Sequence, residues 1–197
     1  MGKENEKFVQ VSMRHLASMR DAGPGQSKTN TPFPDNWFDL PQNVLADFGT
    51  MTYLASLNKF HQSLTLPQAL AQFEPPLRLG QYKIFRSDGF PRAFITWAGL
   101  APGAEHRFSI EHKALKPHQW NAGTSKWLID LVAPFGHIEQ ILPQLAQNAT
   151  DTRLRALWHN RAGTRYRVLE WTRPNLEDPI QLNSYGVHQF AHHLKGP

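Results

Sequence analysis

Between Leu40 and Ser63 the apolar residues Val44, Leu45, Phe48, Met51, Leu54 and Ala55 recur three and four positions apart, the period of an amphipathic helix. LPQALAQF, from Leu66, predicts a second, shorter helix that Pro75–Pro76 should stop. The period then changes. GQYKIFRSDGFPRAFITWAGL predicts a hairpin, with Tyr82, Ile84 and Phe85 before a turn at Ser87-Asp88-Gly89 and Ala93 to Leu100 after it. APGAEHRFSIEHKAL fits either a loop or a short helix, and KPHQWNAGTS reads as loop. In KWLIDLVAP strict alternation puts Trp127, Ile129, Leu131 and Ala133 on one face, and Lys126, Leu128, Asp130 and Val132 on the other. Both faces are mostly apolar, which predicts a central strand covered on both sides.

HIEQILPQLAQNA predicts a helix with Ile138, Ile141, Leu142 and Leu145 on one side and a kink at Pro143. RLRALWHN and RYRVLEWT predict a second hairpin around Arg161-Ala162-Gly163-Thr164, and SYGVHQFAHHLKG a closing short helix. Helix, helix, hairpin, strand, helix, hairpin, helix is an α/β (α+β) order with adjacent antiparallel pairs and one central strand feeding a helix.

Residues 1–35 stand apart from this pattern. A weak amphipathic stretch (Phe8, Val11, Met13, Leu16, Met19) is followed by DAGPGQSKTNTPFPDN, whose composition is that of a linker. A flexible extension over 1–35 and a single domain over 36–197 are expected. AGPGQSKT has Ala22 and Ser27 where a phosphate-binding loop needs glycine, and no apolar strand leads into it. The N-terminus has neither a secretory apolar stretch nor the residue at position 6 that myristoylation requires, and no run of about 18 apolar residues predicts a membrane span.

Charge and composition narrow the chemistry. The net charge of +5 favours an acidic partner, either nucleic acid or an acidic carrier protein. The absence of cysteine rules out disulfides, thiolate metal sites and a cysteine nucleophile, and is compatible with a reducing compartment.

Two residues are candidates for catalysis. Asp130 falls inside a strand predicted to be buried, where a lone carboxylate costs several kcal/mol (roughly) unless something pairs with it. His61 falls at the end of the first helix, where an imidazolium is favoured by the helix carbonyls. Either residue alone has a plain structural explanation, a backbone-satisfied carboxylate or a capping histidine. Together they offer a histidine–carboxylate pair, the carboxylate orienting the ring. His188, His192 and His193 cluster near the end of the chain without a carboxylate at ligand spacing, so a solvated tail is the expectation and no metal is expected. Arg153, Arg155, Arg161, Arg165 and Arg167, interleaved with Trp158, Tyr166 and Trp171, suggest either a nucleic-acid surface or a strand with a solvated basic face.

GQYKIFRSDGFPRAFITWAGL, WNAGTSKWLIDLVAPFG and LRALWHNRAGTRYRVLEW together resemble the toxin-activating lysine acyltransferases, which activate RTX protoxins such as the haemolysins. The likeness runs from roughly Asp47 to Trp171, with a weaker echo in HQFAHHL, and its most specific part is Trp-x-x-Gly followed by Trp-x-Ile-Asp-x-x-Ala-Pro-Phe. It implies a fold like the GNAT acyltransferases, a mixed, mostly antiparallel sheet flanked by helices. It also implies transfer of a fatty acyl chain from acyl-acyl-carrier protein (acyl-ACP), as its phosphopantetheine thioester, to the ε-amine of internal lysines on a protoxin. His61 and Asp130 are then the catalytic pair. A family serine three residues before the histidine is Asn58 here, the candidate for oxyanion stabilisation or substrate positioning. No CoA-type pyrophosphate loop is present, which fits a carrier-protein donor without a bound cofactor. Arg86, Arg92, Arg153 and Arg155 are candidates for docking the acidic carrier. The resemblance further implies a cytoplasmic enzyme and makes a homodimer plausible. The rivals are a basic nucleic-acid-binding module and a catalytically silent relative that only binds its target.

Overall fold

The computed structural model describes residues 40–136, 138–148, 152–160 and 163–194. The predicted extension over 1–35, the glycine-poor AGPGQSKT stretch and the two residues at the tip of the second hairpin, 161–162, lie outside the described residues.

Twelve regular elements follow one another. They are α1 (Gln42–Ser56), α2 (Leu66–Leu79), β1 (Tyr82–Ser87), β2 (Phe90–Leu100), α3 (Pro102–Ser109), a 3₁₀ turn (Pro117–Gln119), β3 (Ser125–Val132), α4 (Ile138–Asn148), β4 (Arg153–His159), β5 (Tyr166–Thr172), β6 (Gln181–Tyr185) and α5 (Val187–His193). The six strands form one sheet in chain order. All neighbouring pairs are antiparallel except β3 and β4, which the α4 crossover makes parallel. This is the expected mixed, mostly antiparallel sheet flanked by helices. No helix among the described residues is long and apolar enough to cross a membrane.

Local chemistry explains most boundaries. Asp88 (φ 51°) and Gly89 (φ 81°) give the hairpin two consecutive left-handed residues, the geometry that matches the twist of antiparallel strands. α2 begins at Thr65, whose N–H donates to the Gln68 side chain at 2.8 Å. It does not stop at Pro75–Pro76, contrary to the sequence expectation, but runs on to Leu79. Proline lacks an N–H but holds a helical φ, and Pro76 and Leu77 are buried in the core. The helix ends instead at Gly80 (φ 64°), where Gln81 N–H donates to Pro76 and Gly80 N–H to Leu77, a Schellman cap. α3 resolves the ambiguous segment as a helix, and β6 was not foreseen: QLNSY has only Leu182 and Tyr185 to mark it as a strand.

The central strand departs from strict alternation in a way that matters for the site. Thr96 of β2 pairs with Asp130 of β3, but the next residue, Trp97, pairs with Leu128. Ile129 is therefore an extra residue, a β-bulge that reverses which way the following side chains point. Trp127, Asp130 and Val132 share one face, not the two faces that alternation predicted. Val132 joins Phe94 and the residues of α1 and α2 in one cluster, and Trp127 joins Ala98, Leu100, α3 and α5 in another. Leu128 and Leu131 pack on the opposite side with Ile141 of α4. The bulge delivers Asp130 to the face covered by α1 and α2.

Candidate active site

Asp130 is 4% exposed, and the structure shows what pairs with it. Thr96, opposite it on β2, donates from Oγ1 to Asp130 Oδ2 at 2.6 Å and accepts the Asp130 N–H at 3.1 Å. Gln72 of α2 donates from Nε2 to Oδ1 at 2.6 Å. His61 Nε2 lies 3.1 Å from the same oxygen. Among the described residues, His61 is the one ion-pair partner of this carboxylate. Burying a carboxylate costs several kcal/mol (roughly), and hydrogen bonds to a charged group return about 1.5–3 kcal/mol each. Thr96 and Gln72 stabilise the anion without neutralising it, so its charge stays available to the imidazole.

His61 sits five residues past the end of α1, in a turn, not in the last helical turn that the sequence suggested. Asn58 organises that turn: its carbonyl accepts the N–H groups of His61 (3.0 Å) and Gln62 (2.8 Å), and its side-chain oxygen accepts Phe60 N–H at 2.9 Å. The same side-chain oxygen lies 3.1 Å from His61 Nδ1. Both ring nitrogens are thereby fixed in direction, and Phe73 stacks on the ring at 6.4 Å. With Asp130 taking the Nε2 proton, Nδ1 is the nitrogen that can release a proton and take one up, and the Asn58 oxygen beside it accepts from Nδ1 when that nitrogen is protonated. The Asn58 oxygen is already engaged, so its NH₂ protons are what it can offer to a substrate oxygen. The His61 side chain is 15% exposed against 3% for Asp130. The buried group orients and the outer group meets substrate.

Tyr82 stands in the same row across the sheet, since Tyr82 pairs with Thr96 and Thr96 with Asp130. Its hydroxyl donates to Asp47 Oδ2 of α1 at 2.8 Å, and Arg86 Nη2 donates to Asp47 Oδ1 at 3.3 Å. Burial, reinforced by the bond to Asp47, pushes the Tyr82 phenol up to about 12. Tyr82 ties α1 to the sheet through Asp47.

The strands below the site part company. The β3–β4 ladder consists of Trp127–Arg155 and Leu128–Ala156, at the N-terminal halves of both strands. Asp130 lies beyond it. The α1–α2 turn spans this region, with His61 on Asp130 of β3 and the Phe60 ring 6.0 Å from that of His159 at the end of β4.

The four arginines expected to dock an acidic carrier separate into two groups. Arg86 and Arg92 lie towards the end to which the C-terminus of β3 points. Arg92 is the extra residue of a bulge between β1 and β2, and its guanidinium sits 5.7 Å from the Phe135 ring and 6.0 Å from that of Phe90. Both phenylalanines are exposed. Arg153 and Arg155 stand towards the opposite end of the sheet, Arg155 pairing with Trp127, three residues of β3 before Asp130, or roughly 10 Å. Arg155 is a correction to the sequence reading, because it is buried at 4% exposure. It donates from Nη1 to Glu105 and from Nε to Glu170 Oε2 at 2.7 Å. Glu105 also accepts from Ser125 Oγ (2.5 Å) and Trp127 Nε1 (2.8 Å), and Glu170 from Tyr185 (3.2 Å). A cavity of about 530 Å³ adjoins this centre, lined among others by Glu105, Ser125, Lys126, Arg153 and Arg155. With Arg155 turned inward and Trp171 packed beside α4, the second hairpin is not a continuous basic and aromatic surface. His193, from the histidine cluster, stacks on Tyr185 and lies 3.6 Å from Glu170.

Thr96 and Gln72 escaped the sequence reading. Thr96 had a signal: it is the one hydroxyl in the buried run Ala93 to Ala98, on the face of Phe94 and Ala98. Gln72 had a fainter one, next to buried Phe73 and three residues after buried Ala69 on α2. The motif glycine Gly123 has no part in the chemistry. Its N–H and that of Ala122 both donate to Gly99 O, and a Cβ on Gly123 would fall 2.5 Å from the Leu100 carbonyl carbon. It is glycine because two backbones touch.

Residues 40–172 match the model of the RTX toxin acyltransferase family. Among individual relatives, the leukotoxin-activating lysine-acyltransferase LktC of Mannheimia haemolytica (serotype A1) is 28% identical over 118 residues, covering 60% of this chain and 71% of that protein. LtxC of Aggregatibacter actinomycetemcomitans, named likewise, is 34% identical over 89 residues, 45% of this chain and 53% of its own. The protein-lysine myristoyltransferase RtxC of Kingella kingae is 24% identical over 144 residues, 73% and 86% respectively.

Proposed function

Since the chain belongs to the RTX toxin acyltransferase family, we propose that it moves a fatty acyl chain from acyl-ACP to the ε-amine of internal lysines on an RTX-type protoxin. The observation that carries this reading is the buried Asp130 whose one ion-pair partner among the described residues is a partly exposed histidine.

Lysine has a reference pKa near 10.4, so at neutral pH less than about 0.1% is the free amine. A base must take protons as the amine attacks the thioester, a contribution of roughly 10²–10⁴-fold. His61 Nδ1 is that base. Asp130 holds the Nε2 proton and stabilises the imidazolium that forms. The amine nitrogen bonds to the thioester carbon, the carbon–sulfur bond breaks, and the proton passes from nitrogen through His61 to the departing thiolate. Asn58, whose side-chain oxygen lies 3.1 Å from His61 Nδ1, offers its NH₂ to the oxyanion. The phosphopantetheine arrives with its carrier, so the route needs no bound cofactor. The parted ends of β3 and β4 beneath His61 suit an extended thioester arm, and exposed Phe90 and Phe135 with Arg86 and Arg92 suit an acidic, partly apolar carrier. Arg155 drops out of that surface. The reaction belongs in the cytoplasm, where the carrier is loaded.

The test is the intact mass of an RTX protoxin after incubation with long-chain acyl-ACP and this protein. A gain of one or more acyl masses, mapped to lysine, is the expected result. Consumption of acyl-ACP without a mass gain means another acceptor, and no consumption alongside normal protoxin binding means a silent relative.

A further inference from the structure

Phe60 immediately precedes His61 and is 53% exposed, yet its ring is fixed. It lies against Gly163 so closely that a Cβ there would come within 2.9 Å of Phe60 Cε1. Its centroid is 6.0 Å from that of His159. His159 is 5.8 Å from Tyr166, and Tyr166 is 3.6 Å from His112. Four rings from the α1–α2 turn, the second hairpin and the loop after α3 thus form a continuous row that begins beside His61. None of them belongs to the three buried clusters that hold the fold together. His112 reaches Tyr166 from a left-handed backbone (φ 52°), a conformation uncommon for a residue with a side chain.

We propose that this row is the track on which the acceptor segment lies as it delivers its lysine to His61. The inference rests on the acyl-transfer reading and adds the side from which the acceptor arrives. Ring faces attract an ammonium group within about 6 Å of their centres, and the aliphatic stem of lysine packs on an exposed phenylalanine. The row carries imidazoles and a phenol but no carboxylate, so it does not hold the ammonium in a salt bridge that the reaction would have to break. The amine adds to the face of the carbonyl while the thioester sulfur lies in its plane, so acceptor and carrier reach the reacting carbon by different routes. The Phe90–Arg92–Phe135 patch is on the β1–β2 side of Asp130, and the aromatic row is on the β4–β5 side.

Steady-state transfer to a recombinant RTX protoxin fragment tests the assignment. Tyr166→Ala should raise KM for the fragment by about tenfold while leaving KM for acyl-ACP unchanged. Tyr166→Phe should restore it, since the ring and not the hydroxyl is used. A benzophenone amino acid at position 166, irradiated without any turnover, should crosslink to the peptide that carries the acceptor lysine. Wild-type transfer with KM for the fragment unmoved by Tyr166→Ala, or a crosslink to the acyl carrier instead, overturns the track alone. No wild-type transfer and no crosslink overturns the track together with the acyl-transfer reading.

Discussion

Two buried carboxylate centres share one face of the sheet, and they differ in what neutralises them. At one end, Glu105 and Glu170 flank Arg155, a permanent cation that is itself buried. At the other, Asp130 is held by a hydroxyl, an amide and one imidazole. A guanidinium cannot give up its proton under ordinary conditions, so the charge between the two glutamates is fixed, and His193 reaches Glu170 only from the rim, at 3.6 Å. An imidazole can, so the second centre can pass a proton to whatever reaches His61. The same price, a carboxylate taken out of water, supports packing in one place and chemistry in the other.

Removing the imidazole tests the difference most severely. His61→Ala should lower kcat by about 10²–10⁴-fold and shift the unfolding midpoint little, because Thr96 and Gln72 still hold Asp130. Parallel turnover and thermal-melt measurements check both halves; a large loss of stability with residual turnover intact would make His61 structural. The mirror-image variant is Arg155→Met, which strands two buried glutamates. Its cost should be about 3–5 kcal/mol of stability, read from urea unfolding, with turnover near wild type wherever the variant remains folded.

Thr96→Val probes the support beneath the catalytic carboxylate. Loss of one hydroxyl partner from a buried anion should cost about 1–3 kcal/mol and slow transfer, and Thr96→Ser should recover both. A slow step recovered by serine but a stability unchanged in valine would mean that Thr96 acts only on orientation. The smallest effect belongs to Tyr82, whose folded pKa of about 12 exceeds the ordinary 10. The folded state holds this proton more tightly than the unfolded chain, so the contribution is complete below pH 10 and is lost as pH rises towards 12. In an absorbance titration Tyr82 should ionise late, and Asp47→Asn should bring it earlier.

The sequence revealed Asp130 because a charge interrupted an apolar strand, and it revealed the element order because helix and hairpin periods are local. It did not reveal which way Asp130 points. That depends on the bulge at Ile129, which exists only in the register between β2 and β3. Strict alternation accordingly placed Asp130 with Leu128, when it lies on the same face as Trp127 and Val132, under α1 and α2. Arg155 was misjudged for a related reason: an alternating basic strand shows that one face is charged but not whether buried glutamates wait there. Glu105 lies on a segment with no clear period, and its partnership with Arg155 spans 50 residues. His61 was legible as the residue after a helix, and the turn that aims it depends on the Asn58 side chain.

The most direct measurement is the intact mass of an RTX protoxin incubated with acyl-ACP and equal amounts of folded wild type, His61→Ala or Arg155→Met, each below its unfolding temperature. Acyl mass on lysine with wild type and Arg155→Met, and none with His61→Ala, is the predicted outcome. Acylation that survives the loss of His61 but vanishes with Arg155 would contradict it, placing the chemistry at the other carboxylate centre.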